Sequence, residues 1–188
     1  MELYLITGFL GAGKTTFLKN FARQFAGRRL RLIINEFGRA GVDGTLLREL
    51  DAALDEISNG SIFCACRLDQ FEAALEQAAA DAPDVVLVEA SGLADPTNVR
   101  RVLAQFPAVS YQGSVCVADA ARLEKVFSTA RACPRQLAVS SLVLLNKTDL
   151  ATEAQCAEAK ALILRANPAA RIRRTQFGRF EPEWLSLI

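Results

Sequence analysis

Short apolar runs alternate along this chain with longer stretches in which apolar residues recur at helical spacing. Leu3-Tyr4-Leu5-Ile6, Leu30 to Ile34, Val85 to Val88, Ser114 to Ala118 and Leu142 to Leu145 read as strands. Between the first two, Phe17, Leu18, Phe21, Ala22 and Phe25 share one face of a helix predicted over Thr15 to Phe25. Further helices are predicted over Leu68 to Ala82, from Pro96 to about Phe106, and over Ala151 to Ala166. Pro83 and Asn167-Pro168 stop the first and last of these. Arg171 to Thr175 can add an edge strand. Strands alternating with helices predict a mostly parallel sheet flanked by helices on both faces.

One stretch stays open: Leu46 to Ile57 mixes helical periodicity with a short strand around Ala52 to Ile57. Arg39 to Gly44 has two glycines and reads as an exposed loop, and Ser58-Asn59-Gly60 as a turn. No repeat, low-complexity tract or linker interrupts the pattern. Residues 1–188 are therefore expected to form a single domain, since a chain of this length has room for one sizeable core.

Charge narrows the partners. With 22 basic and 21 acidic residues the net charge is +1, which gives no electrostatic reason to expect a nucleic acid or a membrane surface as partner. No apolar run approaches the ~18 residues of a membrane-spanning helix. The first strand starts almost at residue 1, so no signal peptide is expected and a cytoplasmic location is. Five cysteines, an odd set, are expected to be reduced thiols there. Histidine is absent, which excludes His-activated nucleophiles and imidazole metal ligands within this polypeptide.

The chemistry concentrates at the carboxyl ends of the predicted strands, where open α/β sheets bind ligands. Gly8-Phe9-Leu10-Gly11-Ala12-Gly13-Lys14-Thr15-Thr16 follows the first strand and fits G-x-x-x-x-G-K-[ST]. Gly8, Gly11 and Gly13 let the backbone curl so that successive N–H groups, including that of Ala12, point inward. The helix start adds its positive dipole end. Lys14 can neutralise the β- and γ-phosphates, Thr15 can ligate Mg²⁺, and Thr16 can donate to a more proximal phosphate. The fold expected is thus α/β of the P-loop NTPase class.

Asn146-Lys147-Thr148-Asp149 follows the Leu142 to Leu145 strand. Guanine presents two donors, N1–H and N2–H, on one edge, and the Asp149 carboxylate can accept both. Adenine presents an acceptor at N1, a mismatch that a buried site can turn into ~10⁴-fold discrimination. Lys147 can lay its stem along the base, while Asn146 can tie this loop to the phosphate-binding loop. Glu89, ending the Val85 to Val88 strand, can act near Mg²⁺ through coordinated water or orient the attacking water. The Gly92 N–H can contact the γ-phosphate. Asp119 and Asp43 read more readily as strand-end and turn residues than as Mg²⁺ contacts. Thr175-Gln176-Phe177 can border the base.

Taken together, these stretches resemble the CobW/UreG/HypB class of GTPases, and its CobW branch most closely. Gly8 to Thr16 (GFLGAGKTT), Asn35 to Gly38 (NEFG), Glu56 to Gly60 (EISNG), Glu89 to Pro96 (EASGLADP) and Asn146 to Leu150 (NKTDL) follow that branch in order and spacing, over about residues 1–180. The resemblance implies a metallochaperone-like GTPase that binds GTP or GDP with Mg²⁺ and hydrolyses GTP slowly. It also implies nucleotide-dependent homodimers that handle a metal or metallocofactor for a metalloprotein or cofactor-enzyme client. Lys14, Glu89 and Glu36 are the catalytic candidates on this reading.

Three departures bear on that expectation. The branch carries Cys-x-Cys-Cys after its Asn-Gly turn, whereas this chain has Ser61-Ile62-Phe63-Cys64, with Cys66 two residues later. Arg39 stands where the branch has an acidic residue after NEFG, and the branch's C-terminal domain is not expected in this chain. Cys64 and Cys66, with Glu36 as a third ligand, can offer soft thiolates to Zn²⁺ or Co²⁺, or the two cysteines can simply pack. Cys116, Cys133 and Cys156 read as structural. The rival function is a nucleotide-gated interaction module that assists a cofactor-dependent enzyme without binding metal. A small-molecule kinase on the same fold is disfavoured by Asn146-Lys147-Thr148-Asp149 and by the lack of an Arg-rich lid.

Overall fold

Near-continuous apolar strands need cover on both faces, and the chain supplies it by returning through a helix or turn after each strand. The computed structural model describes residues 1–35, 44–58, 60–64 and 67–188, with residues 44–46 in backbone only. The first half contains β1 (Glu2–Thr7), α1 (Lys14–Ala22), β2 (Leu30–Asn35), α2 (Gly44–Glu49), β3 (Ala53–Ile57), α3 (Leu68–Asp81) and β4 (Val85–Glu89). The second half contains α4 (Val99–Leu103), β5 (Ser110–Asp119), α5 (Leu123–Thr129), α6 (Ala132–Ala138), β6 (Leu142–Asn146), α7 (Glu153–Ala166) and β7 (Arg171–Arg174).

The seven described strands form one sheet in the order β3-β2-β4-β1-β5-β6-β7, and every neighbouring pair is parallel. β1 lies between β4 and β5, in register with Val85–Glu89 on one side and Ser110–Cys116 on the other. All carboxyl ends therefore meet at one edge, although their sequences are far apart.

Alternation along the strands sorts the core. Tyr4, Ile6, Leu32, Leu87, Val117 and Leu144 face α1 and the C-terminal Phe180 and Trp184. Leu3, Leu5, Ile33, Val86 and Val88 face α3 and α4. Cys116, Ala118, Val143 and Leu145 pack on the same side against α5, α6 and α7. The edge strand β3 is fastened by Arg31, whose guanidinium bonds both Asp55 oxygens at 2.6 and 2.9 Å and also Asp81 of α3.

The open stretch resolves into both alternatives in succession, the helix α2 and then the strand β3. The predicted Thr15 to Phe25 helix is α-helical only to Ala22 and continues as a 3-10 turn over Arg23–Phe25. Pro96 opens a 3-10 turn, capped by the Asp95 carboxylate accepting from the Thr97 N–H, and α4 then ends at Leu103 rather than near Phe106. α7 starts at Glu153 instead of Ala151, because Thr152 and Gln155 form a reciprocal capping box there. β5 begins four residues earlier than its apolar run, since Ser110 to Gly113 complete the ladder with β1 on a rim where polar side chains reach water. The helices α5 and α6 fill a stretch for which the pattern predicts no element. Among the described residues no helix is long and apolar enough to cross a membrane.

Phe21 is fully buried amid the rings of Tyr4, Phe17, Phe25 and Phe180, with centroids 4.8 to 5.5 Å away. Phe21→Ala is expected to lower the unfolding free energy by about 3–5 kcal/mol. Urea denaturation checks this, and a loss below about 1 kcal/mol would mean that the cluster collapses to fill the space.

Candidate nucleotide-binding site

The loop between β1 and α1 is shaped by what it must avoid. Gly13 has φ 102°, and a Cβ there would lie 2.6 Å from Asn146 Nδ2, so any side chain would displace Asn146. α1 begins immediately after it with no side-chain cap and no acidic residue in its first turn. The first helical N–H groups are thus left for an anion, reinforced by the helix dipole. Lys14 is buried against this cradle. The Thr15 hydroxyl donates to Glu89 Oε1 at 3.2 Å, which joins the helix start to the end of β4. Glu89 is itself buried. These are hard oxygen donors beside a cationic cradle, a donor set that suits Mg²⁺.

The loop after β6 closes over the same helix start. Asn146 is buried and donates through Nδ2 to Ala12 O at 2.9 Å, while its Oδ1 accepts from the Gly178 N–H at 3.0 Å. Lys147, in the left-handed region at φ 59°, sends its ammonium to Gly11 O at 2.7 Å and to Asp119 Oδ2 at 2.9 Å. Its stem therefore spans from the 146–149 loop to the phosphate-binding loop. Asp119 holds that ammonium and also accepts from the Ala121 N–H at 3.1 Å, so it combines a turn role with an ion pair.

A pocket of about 230 Å³ lies between these loops, lined by Gly13, Thr16, Asn146, Lys147, Asp149, Leu150 and Phe177. Leu150 and Phe177 are 70% and 63% exposed, two apolar surfaces flanking the Asp149 carboxylate. Phe177 is held there with φ 53° because Asn20 Nδ2 donates to the carbonyls of both Phe177 and Gly178. The shape suits a flat, partly apolar ring with hydrogen-bond donors on one edge.

The segment after β4 packs against the phosphate-binding loop. A Cβ at Gly92 would lie 2.6 Å from the Leu10 backbone nitrogen, so this approach requires glycine. From the other side Gln136 Nε2 donates to Gly92 O at 3.2 Å and Ala94 O at 3.0 Å, and Arg135 pairs with Asp95. Gln136 is a residue that the motif spacing misses. A polar residue beside Cys133 and Leu137 on the buried face of α6 is its signal. Arg122 is another, with its Nη1 3.4 Å from where a side chain at Gly11 would begin.

Cys116 and Cys133 lie beneath the phosphate-binding loop, and burial pushes their thiols up to about 11 and about 12. Cys156 is buried as well, and none of the four described cysteines is in a disulfide. Cys64 is exposed just before α3. Phe63, in contrast, is buried with its ring 5.8 Å from that of Phe71. Glu36, Cys66, Asp43, Asn59 and most of the Arg39 to Gly44 loop lie outside the described residues.

With this geometry in place, comparison with known proteins is specific. A model of the CobW/HypB/UreG nucleotide-binding domain matches residues 2–174. The chain belongs to this family. The zinc chaperone CobW of Pseudomonas aeruginosa is 32% identical over 206 residues, covering 90% of this chain and 55% of that protein. The fold is that of family members of known structure. Zinc-bound YjiA GTPase from E. coli superposes with a TM-score of 0.72 at 23% identity, over 98% of this chain and 60% of its own. The hydrogenase maturation factor HypB from Archaeoglobus fulgidus gives 0.67 at 21% identity, over 99% and 87%. The chain spans about half the length of the curated relatives it matches.

Asn146→Ala removes the amide that joins Ala12 O to the Gly178 N–H. It is expected to lower stability by about 1–3 kcal/mol, because both backbone groups lose a buried partner. Equilibrium unfolding of wild type and variant measures this, and equal midpoints and slopes would show that the loops hold without the amide.

Proposed function

We propose that this chain binds GTP with Mg²⁺, hydrolyses it slowly, and uses the nucleotide to gate delivery of a metal or metallocofactor to a client protein. The pocket holding Asp149, tied to the phosphate-binding loop by Asn146 and Lys147, carries this reading. In it the Asp149 carboxylate accepts from guanine N1–H and N2–H, with Leu150 and Phe177 bordering the ring. The backbone amides of Gly11 to Thr16 and the Lys14 ammonium neutralise the phosphates. Thr15 and Glu89 would hold Mg²⁺, which supplies charge neutralisation at the β- and γ-phosphates. Glu89 also orients water near the γ-phosphate, and the Gly92 N–H contacts that phosphate. Catalysis on this scheme is positioning and electrostatics without a covalent intermediate. Glu36 keeps its proposed place in the reaction and in metal binding, from outside the described residues.

Homologues called zinc chaperone and zinc-regulated GTPase metalloprotein activator support the metallochaperone role. A cytoplasmic location and a nucleotide-dependent homodimer belong to the same proposal. One observation favours a second reading, a nucleotide-gated interaction module that binds no metal itself. Phe63 stands where the family places a cysteine and is spent on the core.

Asp149→Asn is expected to weaken GTP binding at least about 100-fold and to turn preference toward xanthosine triphosphate, whose base offers an acceptor where guanine has its amino group. Calorimetric titration with both nucleotides decides this, and retained preference for GTP removes Asp149 from base reading.

Metal stoichiometry separates the two functions. Zn²⁺ or Co²⁺ bound under reducing conditions should be lost in Cys64→Ala/Cys66→Ala and should fall with pH as protons compete for the thiolates. Equal, near-zero metal in wild type and double variant, with GDP and with a GTP analogue, selects the interaction module.

A further inference from the structure

The Asn35 side chain, at the carboxyl end of β2, is 1% exposed and uses its whole hydrogen-bonding capacity. Nδ2 donates to Ile57 O at 3.0 Å and Gly60 O at 2.6 Å. Oδ1 accepts from the N–H groups of Ile62 at 3.1 Å and Ser91 at 3.3 Å. A carboxamide has two donor hydrogens and two acceptor lone pairs, so every valence is occupied. The partners also fix its orientation, since the reversed amide would set oxygen against two carbonyls and nitrogen against two N–H groups.

These four partners belong to two separate loops. Ile57, Gly60 and Ile62 lie at the end of β3 and in the turn that follows. That turn leads to exposed Cys64, whose carbonyl accepts from the Arg67 and Leu68 N–H groups where α3 begins. Ser91 follows β4 and directly precedes Gly92, the residue held between Leu10 and Gln136. β3 and β4 are not neighbours, because β2 lies between them in the sheet. No backbone ladder can therefore join the two loops, and the Asn35 amide crosses that gap.

We infer that Asn35 is the positioning residue that couples the γ-phosphate-facing segment at Ser91–Gly92 to the turn bearing Cys64. The inference rests on the GTP reading above. Movement of Ser91 when the γ-phosphate is gained or lost pulls on the longest of the four bonds. A saturated, buried amide has no spare site with which to absorb that movement, and water does not reach it to compensate. The turn from Gly60 to Cys64 moves with it. Nucleotide state is thus read at a thiol on the far side of β2, whether that thiol binds metal or marks a protein contact.

Cys64 provides the readout in a Cys66→Ser background, because Cys116, Cys133 and Cys156 are buried. Alkylation of Cys64 by iodoacetamide is followed by mass spectrometry with saturating GDP and with a non-hydrolysable GTP analogue. The two rates should differ at least about fivefold when Asn35 is present. Asn35→Ala, and Asn35→Asp, which keeps the acceptors but loses both donors, should bring the ratio close to one while GDP affinity and the folded spectrum persist. A merely structural role would lower the melting temperature and leave the ratio unchanged.

A folded variant that keeps the wild-type ratio overturns the coupling. So does a wild-type ratio of one when both nucleotides are shown to bind, a result that leaves the GTP reading standing. Failure of the wild type to bind either nucleotide overturns both. If neither variant folds, amide hydrogen exchange in the wild type decides. Ile62 and Ser91, which share Oδ1, should change protection together between nucleotide states, and a change at one alone overturns the inference.

Discussion

Parallel pairing of β1 with both β4 and β5 is the constraint from which the rest of this molecule follows. A parallel ladder cannot be closed by a tight hairpin, so each return runs along a face of the sheet, mostly through a helix. Both faces are thereby covered, and every strand ends at the same edge. The loop after β1, the segment after β4 and the loop after β6 become neighbours there, although Ala12 and Asn146 are separated by 134 positions in sequence.

Once the ends are gathered, buried side-chain amides do the joining. Asn146 links the phosphate-binding loop to the 176–178 turn, Gln136 holds the carbonyls of Gly92 and Ala94, and Asn35 reaches from the turn after β3 to Ser91. Loops at a sheet edge lack ladder partners for many of their N–H and C=O groups. A carboxamide offers donors and acceptors together and carries no charge that must be neutralised, so it can satisfy both kinds at modest desolvation penalty. Lys147 joins two loops by its charge instead, and its ammonium is met by Asp119.

The turn after β3 is held by packing as well as by hydrogen bonds. Ile62 and Phe63 are drawn into the core with Phe71, leaving Cys64 at the surface at the head of α3. This aromatic anchor gives the turn a packing role of its own. On the nucleotide-facing side, Gly13, Lys14, Thr15, Asn146 and Asp149 stand together around one pocket and one helix start.

The strands, the phosphate-binding loop and the 146–149 loop were legible in the chain because each rests on local chemistry: apolar runs between helical stretches, glycines before Lys-Thr-Thr, Asn-Lys-x-Asp after Leu142 to Leu145. So was the placement of those motifs at strand ends, because alternating elements leave few topologies. α5 and α6 were not legible, since Leu123, Val126, Cys133 and Leu137 make only a short apolar face whose burial depends on β5, β6 and α7. The two halves of Leu46 to Ile57 could not be separated by periodicity, because the strand β3 is held at its edge by Arg31 from β2 rather than by its own pattern. Asn35 and Lys147 belong to motifs that can be read from the chain, and Gln136 stands out as a polar residue on an apolar helix face. Which loops these residues join is not written in any window of sequence. Their roles are set by which backbone groups the folded sheet edge leaves unsatisfied beside them, and that is decided only when distant strand ends come together.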